Sequence, residues 1–328
     1  MDDEKRIVRW GTGVIAFALV LKIFSTVVPL VRSLPPEYLW VAALLAQTGK
    51  PFYPLQTSPT DPEPSTTSPS PAPSVPESAL PADRPAFSAS DAGNINLIYG
   101  CDLRPDVESL LCSPLTWDLT QEAPSILIVH THATECYTPA EGEDFTASGY
   151  YRTRDPAYNM VSIGAEIARI LTEGGIGVIH DTTLHDDPDY NYAYINTRKT
   201  IQQYLQRYPS IRMVLDIHRD ASDTQQGQLT THGVVGGQDS AQIMLVVGTN
   251  YASWHENTAL ALKLSVLMER ADVGITRPVY LRQERFNMDL TTGSLIVEVG
   301  AAGDTHAQAM LAANAFARSV LALMYGST

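Results

Sequence analysis

Residues 125–135 read Ser-Ile-Leu-Ile-Val-His-Thr-His-Ala-Thr-Glu. An apolar run rich in branched side chains stops abruptly at two histidines and a glutamate. A continuous apolar run of this length predicts a strand buried on both faces, as in a parallel sheet. In open α/β sheets ligands bind beyond the carboxyl ends of the strands. His130, His132 and Glu135 therefore fall where such a fold builds its site.

Working outward, strands and helices alternate. Residues 126–130 predict the first strand. Residues 157–173 have helical periodicity through Val161, Ala165, Ile167, Ala168 and Leu171, and stop at Gly174-Gly175. Further strands are predicted at 176–180, 212–218, 243–248 and 294–300. Helices are predicted at 196–208 with Asn196 as N-cap, at 256–270, and at 305–324 opened by Asp304. Residues 91–123 read as irregular, and no internal repeat is visible. The expected fold is α/β: a mostly parallel, twisted sheet flanked by helices, with right-handed crossovers.

The N-terminal third has a different character. Residues 12–31 form an apolar segment long enough to cross a bilayer as a helix, which takes about 20 residues. Lys5, Arg6 and Arg9 precede it and place the N-terminus in the cytoplasm. Lys22 interrupts the segment and would have to snorkel or face a partner helix. A retained anchor is the reading preferred here, with a cleaved signal peptide as its rival. Residues 38–45 form a further apolar cluster. Residues 56–89 are rich in Pro, Ser and Thr and read as a semi-extended linker. The expected layout is a cytoplasmic N-terminus and anchor at 1–33, a linker at 34–90, and an extracytoplasmic domain at 91–328. A net charge of −14 and a pI near 4.9 argue against nucleic acid as partner. Cys101, Cys112 and Cys136 contain no CxxC pair, which argues against a thiolate zinc site.

Chemistry gathers at the strand ends. The second strand ends in His180 and Asp181, the third in Asp216, His218, Arg219 and Asp220, and the last carries Glu298. In a parallel sheet these ends share one edge. A catalytic zinc takes three His or carboxylate ligands plus water, and a further carboxylate can act as general base. Each residue also has a plainer role. A single strand-end histidine is more often a hydrogen-bonded structural group, and His180 with Asp181 could simply orient a neighbour. Glu298 lies inside the apolar run 295–299, where a lone carboxylate is costly unless paired or beside a metal. The residues alone do not rank His130 against His132. Tyr190, Tyr192 and Tyr194 could line a carbohydrate or peptide groove, or simply pack. Arg282, Arg285, Asn287 and Asp289 precede the last strand, and arginine there could bind a substrate carboxylate.

At these residues the sequence resembles the stage II sporulation protein P family of cell-wall hydrolases. The matching stretches are VHTHATECY (129–137), VIHDTTLHD (178–186), NTRKTI (196–201), VLDIHRDA (214–221), VVGTN (246–250), ALALKL (259–264), RPVYLRQERFNMDL (277–290) and SLIVEVG (294–300). The resemblance covers roughly residues 125–325 and implies a zinc amidase-like fold. It also implies a Zn2+-dependent N-acetylmuramoyl-L-alanine amidase with possible endopeptidase activity. Such an enzyme would act on peptidoglycan between the mother-cell and forespore membranes during engulfment. The partners implied are stage II sporulation proteins D and M. Carried over, His130 is the first zinc ligand, His218 the third and Glu298 the catalytic glutamate. Glu135 is the second ligand, with Asp155 as its rival. From the residues themselves, not from the resemblance, His132, His180 and Asp216 are read as standing behind the ligands, and Arg282, Arg285 and Asn287 as binding substrate, with a solvated turn as the plainer role of that loop. The alternative function is a non-catalytic, membrane-anchored wall-binding module. A two-metal phosphoesterase ranks last, because it needs more Asp and Asn ligands than this edge supplies.

Overall fold

The structure is a computed structural model that describes residues 84–326, apart from 120–122, 144, 146, 149–150, 222 and 225–226. These residues belong to the second of two compact units, Pro76–Thr328. The expected anchor at 12–31, with Lys22, and the linker up to residue 83 lie outside them.

In chain order the elements are α1 (Ala89–Ala92), β1 (Leu97–Gly100), α2 (Val107–Cys112), β2 (Ile126–Val129), α3 (Met160–Glu173) and β3 (Val178–His180). After a 3-10 turn at Tyr190–Tyr192 come α4 (Ala193–Arg207), β4 (Met213–Asp220), β5 (Asp223–Thr224), β6 (Gly227–Gln228), β7 (Gly233–Val235) and β8 (Gln238–Ser240). The remainder is β9 (Ile243–Gly248), α5 (Trp254–Ala271), β10 (Val279–Arg282), β11 (Ser294–Ala301) and α6 (His306–Tyr325).

A seven-stranded sheet runs in the order β1-β10-β9-β11-β4-β2-β3. Every neighbouring pair is parallel except β9 with β11. The expected mostly parallel sheet is present, with one reversal. From β4 the chain passes through two short hairpins, β5–β6 and β7–β8, with no helix between among the described residues. The hairpins leave the chain at the edge where β4 ended, so β9 starts there and runs back.

One face of the sheet packs against α3, α5 and α6, where Ile126, Ile128, Ile163, Leu260 and Phe316 are fully buried. Burying each such side chain contributes about 1.5–3 kcal/mol. The other face has a smaller cluster of Leu127, Val129, Ile201, Ile211 and Val214 under α4. The helix α6 is long and apolar enough to cross a membrane, but its Ala309, Phe316 and Val320 are core residues.

Three local readings are corrected. Asn196 does not cap α4: it lies inside the helix, and its Nδ2 donates to the His185 carbonyl at 3.0 Å. Asp304 does not cap α6. Its carboxylate accepts from Thr231 N and Oγ1 and from Ala301 N, while Thr305 and Gln308 form the capping box. Residues 91–123 are not irregular throughout, since they hold β1 and α2.

Candidate metal centre

Cross-strand register decides which strand-end side chains meet. Val129 pairs with Asp216 and Glu298 pairs with His218, so residues 129, 216, 218 and 298 share the α4 face. His130, one residue on, falls on the opposite face. There it is fully buried beside α3, with Nδ1 3.2 Å from the Ile217 carbonyl and Nε2 2.8 Å from His180 Nε2. Gly164 makes this possible, because a Cβ at that position would stand 2.5 Å from the His130 ring. Burial first, then the neighbouring His180, pushes the His130 imidazole down to about 3. Both ring nitrogens are engaged and the ring is neutral.

The chain then turns. Thr131 donates its amide (2.7 Å) and hydroxyl (2.6 Å) to the Asp216 carboxylate. Thr134 donates its hydroxyl to Asp186 at 2.6 Å, and His185 Nδ1 lies 3.0 Å from the His130 carbonyl. This turn swings His132 back toward the α4 face. Its ring centroid lies 5.3 Å from that of His218, stacked on Tyr190 at 4.2 Å and edge-on to Tyr194 at 5.6 Å. His132 Nδ1 is buried with no hydrogen-bond partner among the described residues, and burial pushes the ring down to about 4. The structure thus places His132, expected as a supporting group, ring to ring with His218, and His130, expected as a ligand, against His180 on the other face.

Glu135 completes the group. Its Oε2 is 3.6 Å from His218 Nδ1, and its Oε1 is 3.7 Å from Arg219 and 3.9 Å from Arg152. Burial alone would raise this carboxyl, but Arg219, His218 and His132 outweigh it and hold it at about 2. His218 Nε2 lies 2.9 Å from Asp216 Oδ1. Burial opposes a charge on His218, yet Asp216 and Glu135 overcome it and hold the imidazole protonated. Glu298 is the opposite case. Burial pushes it up to about 8, against the pull of His218, and its Oε2 has no hydrogen-bond partner among the described residues.

Asp155 is exposed, with its carboxylate spent on the Ala157 amide in the turn before α3. His180 supports His130. Arg282 is bidentate to Glu284, Arg285 stands 3.7 Å from Asp289, and Asn287 donates to the Tyr194 carbonyl. Because β10 runs against β11, Arg282 ends at the edge away from Glu298. Cys101, Cys112 and Cys136 are free thiols. The sequence reading did not single out Arg152 or Asp186. Arg152 packs over Tyr190 at 4.1 Å and pairs with Asp186 at 3.1 Å. Its charge carried no periodic or spacing signal.

Among the described residues no three His, Cys, Asp or Glu side chains are gathered around one point ready for a metal ion. The donor set nevertheless fits zinc in kind. An unpartnered His132 nitrogen, the ionised Glu135 and His218 are adjacent, and a proton on His218 supplies the positive charge that Asp216 and Glu135 call for.

A family model described as stage II sporulation protein P matches residues 59–321. The stage II sporulation protein P of Bacillus subtilis (strain 168) is 28% identical over 218 residues, which are 63% of this chain and 52% of that protein. The chain thus spans about half the length of the curated relative it matches. Solved structures with some likeness include the N-acetylmuramoyl-L-alanine amidase AmiC2 of Nostoc punctiforme, with 14% identity and a TM-score of 0.39 over 60% of this chain and 95% of that one. The apo N-acetylmuramyl-L-alanine amidase of Mycobacterium abscessus gives 16% and 0.37 over 61% and 96%. The N-acetylmuramoyl-L-alanine amidase of Clostridium difficile 630 gives 12% and 0.35 over 63% and 99%.

Proposed function

Since this chain belongs to the stage II sporulation protein P family, we propose that it is a zinc-dependent peptidoglycan hydrolase. It would cleave the amide between N-acetylmuramic acid and L-alanine, with peptide cross-links as a second target. The single observation behind this reading is Glu298, a half-buried carboxyl paired across strands with His218, whose Oε2 is buried with no hydrogen-bond partner among the described residues. A carboxylate so placed beside the candidate ligands is suited to general acid–base work.

In this proposal His132, Glu135 and His218 hold the ion. When bound, zinc supplies Lewis acidity toward the scissile carbonyl and makes water more acidic. Asp216 orients His218 and, through Thr131, the turn that carries His132. Glu298 takes a proton from the water that attacks the amide carbon. As the C–N bond breaks, it returns a proton to the leaving amine of L-alanine, and the lactyl group leaves as a carboxylate. The anchor at 12–31, the placement between mother-cell and forespore membranes, and the partners, stage II sporulation proteins D and M, belong to the same proposal.

Muropeptide release from purified wall tests it. Glu298→Gln is expected to retain zinc and lose release by about 10²-fold or more, the usual scale for a proton-transfer group. Release at the wild-type rate by Glu298→Gln would overturn the assignment. Zinc binding with no release by the wild-type protein would leave the anchored wall-binding module instead.

A further inference from the structure

A phenol packed inside a protein ordinarily finds a hydrogen-bond partner. Tyr137 donates to the Val299 carbonyl at 2.7 Å, and the Tyr251 hydroxyl accepts from Asn257 at 2.7 Å. Tyr194, in the first turn of α4, departs from this pattern. Its ring lies edge-on to His132, with centroids 5.6 Å apart, and is partly exposed. Its hydroxyl makes no hydrogen bond among the described residues. Burial, then the carboxylates of Asp216, Glu298 and Glu135, push the phenol up, so it remains an O–H donor at neutral pH.

A strained loop holds Tyr194 in place. Phe286 (φ 52°) and Asn287 (φ 59°) are consecutive left-handed residues before β11. Asparagine tolerates that conformation, but a bulky aromatic residue does so only under strain. Such strain persists where the surroundings over-determine it. Here Asn287 Nδ2 donates to the Tyr194 carbonyl at 2.8 Å, and the Phe286 ring centroid lies 5.7 Å from that of Tyr194. Asp289 is bidentate to Arg198, one turn further along α4. The loop thus fixes Tyr194 by its backbone and by its ring.

Hydrolysis of an amide puts negative charge on the carbonyl oxygen. The donors around the candidate ligands are already engaged. Thr131 gives both its protons to Asp216, Arg152 donates to Asp186, and Arg219 donates to the Cys136 and Tyr151 carbonyls. We propose that Tyr194 is a catalytic residue whose hydroxyl donates to the carbonyl oxygen of the scissile amide, and that Phe286 and Asn287 position it. The inference rests on the hydrolase reading. As the water oxygen bonds to the amide carbon, the C=O π pair moves onto oxygen and the water proton passes to Glu298. The phenol keeps its own proton throughout, and its hydrogen bond strengthens as charge builds. The pair returns when the C–N bond breaks and Glu298 delivers the proton to nitrogen. A donor fixed in advance where charge develops needs no reorganisation at that moment.

Tyr194→Phe keeps the ring against His132 and Phe286 and removes only the O–H. In the full-length, zinc-loaded protein it is expected to lower kcat for muropeptide release about 10²-fold, the usual cost of one such donor, with KM and zinc content unchanged. A muramyl peptide with a phosphinate in place of the scissile amide presents a permanently charged oxygen. Calorimetry is expected to find it bound about 10²-fold more weakly by Tyr194→Phe, while uncleaved glycopeptide binds Glu298→Gln with and without Tyr194→Phe alike. Asn287→Gly permits the left-handed backbone but removes the side-chain amide. It is expected to lower kcat about tenfold, and to lower it no further when added to Tyr194→Phe. Wild-type kcat in Tyr194→Phe, or equal losses of phosphinate and glycopeptide affinity, overturns the assignment and leaves the hydrolase reading in place. Losses that multiply in the double variant overturn the positioning role of Asn287. A wild-type protein that releases no muropeptide overturns the hydrolase reading, and the role of Tyr194 with it.

Discussion

At the scale of single residues, the two histidines of His130-Thr131-His132 differ in everything but side chain. His130 has both nitrogens engaged and no exposure, whereas His132 has one unpartnered nitrogen beside His218. Their substitutions should therefore separate. His132→Ala is expected to lose zinc with the fold intact. His130→Ala is expected to keep the donors but leave half-buried His180 Nε2 and the buried Ile217 carbonyl without their partner, at about 1–3 kcal/mol for the buried carbonyl. Elemental analysis beside urea unfolding of both variants checks this; zinc loss in His130→Ala alone would reverse the assignment. That polar groups of the right kind collect at the strand ends was legible in the chain, because an apolar run broken by His and Glu is expensive unless used. Which of two histidines two residues apart faces the site was not, because the turn at 131–134 and its bonds to Asp216 and Asp186 set it.

At the scale of elements, α3 shows how a helix is shaped by the site beneath it. Glycine in a helix interior costs up to about 1 kcal/mol relative to alanine, yet Gly164 sits mid-helix. A Cβ there would stand 2.5–2.7 Å from atoms of His130 and His180. Gly164→Ala is thus expected to destabilise by about 1–3 kcal/mol through overpacking, despite its better helix propensity; a higher urea midpoint would refute this. The C-terminal helix gives a gentler case. Thr305 caps it by accepting from the Gln308 amide, so Thr305→Ala should cost about 1 kcal/mol, read as a lower Tm. Strands with long apolar runs, such as 243–248 and 294–301, are legible without tertiary information. The four-residue strands β1 and β10 are not. In β1, Ile98 and Tyr99 are exposed at the sheet edge and no burial pattern forms, while β10 buries Val279 and Leu281 in alternation but is too short, and set too closely among Arg277, Arg282 and Arg285, to stand out.

At the scale of the whole molecule, the long-range packing of Lys263 offers a readout of the fold. It is buried on α5, its ammonium donates to the Leu111 carbonyl and lies 4.8 Å from the Phe87 ring centroid. Burial pushes it down from 10.5 to about 8. The folded chain then binds fewer protons than the unfolded chain between about pH 8 and 10.5, so this group makes stability rise with pH across that window. Below pH 8 its penalty is fully present. The difference in urea midpoint between wild type and Lys263→Met should accordingly shift with pH in wild type's favour between 8 and 10.5. A difference that stays flat there would show that Lys263 is not buried as a cation.

The sequence by itself determined the α/β alternation, the edge on which chemistry gathers and the isolation of Glu298, since hydrophobic periodicity and the cost of burying charge are local properties. Only the tertiary structure decided three things. It reversed β9, because two hairpins stand where a crossover helix would. It set His132, and not His130, beside His218, because register puts His130 on the α3 face and the turn at 131–134 swings His132 to the other. It turned Arg282 and Arg285 to carboxylates of their own loop, because β10 ends at the opposite edge. Strand direction and register are fixed by pairings between residues far apart in the chain, and no local pattern encodes them.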